Sequence, residues 1–134
     1  MNGYLVDSNI ILDIFLNDPE WADWSEAVLT KCGDHNTLYI NMVIYTEVSI
    51  GFDRIEDLED AMQIASFELL DIPKEALFLA GKAYLIYKQS HGIRNSPLPD
   101  FYIGAQAAVL NLDLITRDVN RYNAYFPTVK LIAP

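Results

Sequence analysis

An α/β sandwich built on a mainly parallel sheet of about five strands is the fold class this chain predicts. Three observations carry it. The apolar runs Leu5-Val6, Leu38-Tyr-Ile40, Leu69-Leu70, Leu114-Ile115 and Leu131-Ile132 are short and continuous, as in strands buried on both faces. Longer stretches with helical composition separate most of them, which is the alternation of a parallel sheet with crossover helices. Prolines punctuate the joints, at positions 19, 73, 97 and 99.

In order, strands are expected near 4–7, 37–41, 68–72, 112–116 and 129–132, and helices near 9–17, 20–33, 42–53, 56–66, 74–90 and 99–111. Asp18-Pro19 stops the first helix, because the residue before proline disfavours the α region. Pro73 separates the third strand from the helix after it. Pro97 and Pro99 stiffen the loop before Asp100, and Pro99 suits a first helical turn. The stretch near 74–90 carries apolar residues around nearly its whole circumference, including Ala76, Leu77, Phe78, Ala80, Ala83, Leu85 and Ile86. Such a helix is buried on more than one side, either centrally in the core or in the core and a subunit interface. Trp21 and Trp24 pose a similar choice between core and a groove for a partner helix.

A length of 134 residues with 51% apolar content suits a single domain spanning 1–134 with one packed core. No run of 18 apolar residues occurs, and the N-terminus runs directly into a strand, so neither a membrane span nor a signal peptide is expected. Cys32 is the sole cysteine, which fits a reducing cytoplasm. His91 lacks a second ligand at zinc spacing. A Gly-rich phosphate loop and a nucleophile elbow are also missing. The net charge of −10 argues against nucleic-acid binding through overall charge. The segment Asp53, Glu56, Asp57, Glu59 and Asp60 reads as a solubilising face. The few cations instead gather near two acids: Lys88, His91 and Arg94 precede Asp100, and Arg117 and Arg121 flank Asp118.

Four acids, Asp7, Glu47, Asp100 and Asp118, lie 40, 53 and 18 residues apart, so no local motif explains them. In open parallel sheets ligands bind beyond the carboxyl ends of the strands. Asp7 ends the first strand, Asp118 follows the fourth, and Asp100 opens the helix leading into the fourth. Glu47 reaches in from the helix after the second strand. Each acid has a plainer reading: a helix N-cap for Asp7, a solvated helix residue for Glu47, a first-turn residue for Asp100 and a turn acid for Asp118. Convergent carboxylates repel one another and are tolerated mainly when hard divalent cations such as Mg2+ or Mn2+ neutralise them. That combination suits phosphodiester hydrolysis. Ser8, Asn9 and Thr116 are placed to orient the acids. Arg94, Arg117 and Arg121 are candidate contacts for the phosphate backbone, with surface ion pairs as their alternative. Asp13 reads as structural.

These residues resemble a known family. Leu5-Val-Asp7-Ser-Asn9, Thr46-Glu47, Leu98-Pro-Asp100-Phe-Tyr-Ile-Gly-Ala105 and Leu114-Ile-Thr-Arg-Asp118-Val-Asn-Arg-Tyr122, with Tyr125-Phe-Pro127 after them, are similar to the motifs of PIN-domain ribonucleases. Within that family they resemble the VapC toxins of toxin–antitoxin pairs. The resemblance implies a three-layer α/β/α sandwich, with Mg2+ or Mn2+ held by the acids at the four matching positions. It implies endonucleolytic RNA cleavage, a homodimer, and a protein antitoxin lying over the site. Two other functions remain open: a PIN-like RNA-processing nuclease outside a toxin system, and a non-catalytic module whose acidic pocket captures a basic partner segment. A phospho-acceptor receiver fits poorly, because strand one ends with one acid and Lys130 sits inside the last strand.

Overall fold

The computed structural model describes residues 3–90 and 92–134; His91 lies outside the described residues. Five parallel strands, β1 (Gly3–Val6), β2 (Thr37–Ile40), β3 (Glu68–Leu69), β4 (Asp113–Ile115) and β5 (Leu131–Ile132), form one sheet in the order β3-β2-β1-β4-β5. The expected α/β/α sandwich is therefore present, with its sheet wholly parallel. All five expected strands appear; β4 keeps three residues, and the edge strands β3 and β5 keep two each. Brief edge strands limit the unpaired backbone offered to other chains.

The helices are α1 (Ser8–Phe15), α2 (Ala22–Gly33), α3 (Met42–Ser49), α4 (Ile55–Ile64), α5 (Lys74–Gln89), α6 (Pro99–Leu110) and α7 (Asn120–Tyr125). Helix α7 is an addition to the elements expected from sequence. Helix α1 stops before Asn17, which takes the left-handed conformation at φ 51°. Asp18 then accepts from the backbone N–H groups of Glu20 and Trp21, turning the chain into α2. Asn41 caps α3 by accepting from the Ile44 N–H at 2.8 Å. Asn111, left-handed at φ 54°, ends α6.

Chain order fixes where a ligand can sit. From β1 the chain winds outward to β2 and β3, then returns across the sheet through α5 and α6 to enter β4 on the other side of β1. The β1/β4 boundary is thus the switch point of the topology. Leu5, Val6, Leu114 and Ile115, fully buried there, form the centre of the core with Ile10, Ile11, Phe101 and Ile103. Gly104 lets α6 approach the Phe126 ring, since a Cβ at that position would overlap it.

Of the two readings of helix α5, central burial does not hold: one side meets the core and the other is an exposed apolar face, as the core-and-interface reading requires. Its buried residues are Ala76, Ala80 and Ala83, while Phe78 is 68% exposed and Leu77, Leu85 and Ile86 are exposed as well. Small side chains let α5 pack closely on α6, and the large ones are left outside. Trp21 and Trp24 are half-buried and stack edge to face at 6.3 Å. No helix among the described residues is long and apolar enough to cross a membrane.

Candidate active site at the β1/β4 edge

Asp7 is the best-held of the four acids. It leaves β1 in an extended conformation and caps α1 by accepting from the Ser8 N–H at 2.8 Å. The capping and site roles, alternatives in the sequence, coincide in one side chain. Its Oδ2 accepts from Thr116 Oγ1 at 2.8 Å and from the Tyr122 hydroxyl at 2.9 Å. Asn9 Nδ2 lies 3.5 Å from the same oxygen. Burial pushes the Asp7 carboxyl above its usual range, opposed by the hydrogen bonds from Thr116, Tyr122 and Ser8 and reinforced by the charge of Asp118.

The other three acids gather round it from different elements. Ser8 Oγ donates to Glu47 Oε1 at 3.0 Å, drawing α3 toward the end of β1. Asp100, in the first turn of α6, accepts from Tyr122 at 3.4 Å through Oδ1 and faces Arg121 Nε at 3.6 Å through Oδ2. Burial and the charges of Asp7 and Asp118 raise its carboxyl to about 6, despite the lowering effects of Arg121 and Tyr122. Burial raises Glu47 too, with Asp7 and Asp100 adding to the rise and Ser8 opposing it. Asp118 is exposed, and its backbone N–H donates to Thr116 Oγ1 at 3.0 Å. The acids thus sense one another's charge across one crevice.

Tyr122 is the site residue that the sequence reading did not single out. It is fully buried, and its one hydroxyl proton is shared between Asp7 and Asp100. Burial and the adjacent carboxylates hold the phenol well above its usual range, so it stays a donor. Its place at the end of the motif running from Leu114 through Asp118 was the sequence signal available.

The three candidate arginines separate. Arg117 makes a two-pronged pair with Asp13, at 2.7 Å from Nε and 2.8 Å from Nη2, and lies over the Trp21 ring. Asp13 also accepts from Ser25, so it is structural as expected and ties α1 to α2 and the β4–α7 connection. Arg94 is exposed, with its backbone N–H on the Tyr87 hydroxyl. Arg121 alone of the three contacts one of the four acids.

The donor set suits a hard divalent cation in kind: every ligand atom is a carboxylate oxygen, and Arg121 is the one cationic side chain paired with the cluster among the described residues. No three His, Cys, Asp or Glu side chains among the described residues are already spaced to enclose an ion. Glu47 is instead anchored on Ser8, and Asp100 faces Arg121.

The profile of the PIN domain matches residues 4–127, nearly the whole chain. The chain belongs to the PIN domain family. All four acids and Tyr122 fall inside the matched span. This PIN domain is also similar in fold to chains of solved assemblies. One is VapBC2 from Rickettsia felis bound to a DNA fragment from its promoter, with a TM-score of 0.74, 20% identity, and 97% of each chain covered. Another is VapBC-1 from nontypeable Haemophilus influenzae, with a TM-score of 0.72 at 20% identity, covering 97% of this chain and 96% of that one. A toxin–antitoxin complex from Klebsiella pneumoniae gives a TM-score of 0.67 at 22% identity, with 98% of each chain covered. Among curated proteins no sequence match was found.

Proposed function

We propose that this PIN domain is a divalent-metal-dependent endoribonuclease, the toxin of a toxin–antitoxin pair, and that Asp7, Glu47, Asp100 and Asp118 form its catalytic cluster. The observation that carries the reading is the convergence of these carboxylates at the switch point of a parallel sheet, with little positive charge to offset them. The four acids would hold Mg2+ or Mn2+. Bound there, the ion would supply an activated water and compensate charge on the phosphate. Asp7, fixed by Thr116, Ser8 and Tyr122, is the rigid member of the cluster. Glu47 and Asp100 are brought in by separate helices, and Asp118 stands at the exposed rim where the RNA backbone enters. Asn9, bonded to both Asp7 and Thr116, keeps the end of β4 aligned with α1.

The toxin role rests on similarity to chains from assemblies described as VapBC and as a toxin–antitoxin complex. A protein antitoxin and a homodimer are therefore part of the proposal. The exposed Leu77, Phe78, Leu85 and Ile86 of α5 offer an apolar face for self-association. A separate cavity of about 570 Å3, with Ile14, Phe15, Leu29, Ile64 and Phe67 in its wall, offers apolar surface to an antitoxin.

The test is cleavage of a mixed RNA pool with Mg2+ or Mn2+, then with chelator, beside Asp7→Asn shown folded by circular dichroism. The expected result is fragments that need the metal and vanish in the variant. Folded, inhibitor-free protein that cuts nothing under either metal would reject the nuclease and favour an acidic pocket that captures a basic segment.

A further inference from the structure

A cavity of about 310 Å3 opens beside the acids, walled by Tyr87, Asp118, Asn120, Arg121 and Tyr125. Asp118 belongs to both the cavity and the cluster, so whatever fills the one abuts the other. The aromatic part of the wall has firm backing: Tyr87, Phe101 and Tyr125 pack edge to face, with centroids 5.6, 6.4 and 5.2 Å apart pairwise. Phe101 is fully buried, whereas Tyr87 and Tyr125 keep partial exposure toward the cavity.

Arg121 is the uncommitted cation at this place. Arg117, close by in sequence, spends two guanidinium nitrogens on Asp13 at hydrogen-bond distance. Arg121 makes a single contact with Asp100 at 3.6 Å, beyond good hydrogen-bond length, and its Nη1 is buried with no partner among the described residues. The guanidinium lies 5.5 Å from the Tyr87 centroid and 5.6 Å from that of Phe101. Arg121 lines the cavity, and its loose hold on Asp100 lets the guanidinium turn an unpaired donor toward an anionic oxygen there.

On the nuclease reading above, we infer that this cavity is a nucleotide subsite: it stacks the base next to the scissile phosphate on Tyr87 and Tyr125 and takes that nucleotide's phosphate on Arg121. The ligand is single-stranded RNA, because a base must leave its stack to enter a side cavity. Aromatic stacking tolerates any base, and the Asn120 amide adds a donor and an acceptor for a base edge. The subsite also supplies attraction where net charge opposes binding.

The experiment measures binding of a labelled single-stranded RNA by fluorescence anisotropy in Ca2+, and cleavage of the same RNA in Mn2+, with the full chain. The variants are Tyr125→Leu, Tyr125→Phe and Arg121→Gln, each with its melting temperature recorded. Tyr125→Leu is expected to weaken binding roughly tenfold and Tyr125→Phe to restore it to within about twofold, since the ring and not the hydroxyl is required. Arg121→Gln is expected to weaken binding and flatten its salt dependence by about one counterion. An RNA with an abasic residue at one position is expected to lose about tenfold with wild type and nothing further with Tyr125→Leu. Unchanged binding in Tyr125→Leu, or an abasic penalty equal in both proteins, overturns the subsite. Cleavage without this pattern removes the subsite alone. The pattern without cleavage keeps the subsite and removes the nuclease. RNA that binds neither protein removes both.

Discussion

Asp100→Asn should make the protein more stable in chelator at pH 7.5, although it strikes the centre of the proposed active site. The folded chain holds the Asp100 carboxyl at about 6 against an ordinary value of 3.8, through burial and the charges of Asp7 and Asp118. A raised carboxyl binds its proton more tightly folded than unfolded. It therefore costs stability once ionised: the cost appears as pH rises past 3.8 and is complete above about 6. At about 1.36 kcal/mol per pH unit the shift corresponds to about 3 kcal/mol at most. The side chain is 27% exposed, so solvent screening reduces this to about 1–2 kcal/mol. Asparagine is nearly isosteric, keeps an acceptor for Tyr122, and carries no charge for Asp7 and Asp118 to repel.

For a domain of this length, that gain raises the melting temperature by about 3–8 °C. The assay is thermal unfolding by circular dichroism in EDTA, wild type beside Asp100→Asn, from pH 7.5 down to pH 4. The gain should halve near pH 5 and fall to about a fifth at pH 4, where Asp100 is protonated in the folded state but still partly ionised in the unfolded one. Added Mn2+ should reverse the order, because wild type alone keeps the full set of carboxylates for the ion. A variant that melts at or below wild type at pH 7.5 in EDTA refutes the reasoning, as does a gain that is flat with pH.

Tyr122→Phe removes the hydroxyl shared by Asp7 and Asp100, so Mn2+ affinity by calorimetry should fall about tenfold; unchanged affinity would make Tyr122 a packing residue only. Asn41→Ala removes the α3 cap and strips Gln106 of a 2.7 Å partner in a fully buried pair, which should cost about 2–3 kcal/mol in urea unfolding. A loss under about 0.5 kcal/mol would show that neither bond matters to stability. Phe78→Glu places a charge on the exposed apolar face of α5, so light scattering should report a shift from twice 15.2 kDa to 15.2 kDa; a dimer that persists would move the interface elsewhere.

The strands and three of the acids were legible because local rules announce them. Asp7 ends an apolar run and precedes a helix, Pro99 announces Asp100, and Asp118 follows another apolar run. Glu47 was legible by its apolar neighbours Val43, Ile44 and Val48. Helix α7 was not, since its six residues, Asn-Arg-Tyr-Asn-Ala-Tyr, carry too little apolar periodicity to stand out. Tyr122 was hidden with it, because a tyrosine shows its partners only after β1, α6 and α7 meet. Helix α5 was legible only in part, as a helix apolar all round with two readings open. Apolar composition reports what a residue tolerates, but which face is buried depends on how near α6 can come. Alanines at 76, 80 and 83 settle that in favour of a close contact and an exposed outer face. The arginines show the same limit: Arg117 and Arg121 flank one acid in sequence, yet one is locked into Asp13 and the other faces Asp100.

If the proposed ribonuclease reading holds, a chain of net charge −10 needs its attraction for a polyanion to be local. Two features concentrate it. The carboxylates form a cluster whose repulsion a bound cation would relieve at neutral pH, and the same ion would create a phosphate-binding field. Arg121 then stands between two anions, Asp100 and an incoming phosphate, and the single 3.6 Å contact it makes with Asp100 is weak enough to give up. Loading the acids with metal weakens that contact further, since Asp100 would turn its charge toward the ion. On the proposed nuclease reading, metal binding and RNA binding would thereby be coupled through one arginine: the cation that fills the cluster would also free the side chain that holds the substrate. On the same reading, the acidic face of α4 carrying Glu56, Asp57 and Asp60 would repel RNA and favour encounters at the β1/β4 edge.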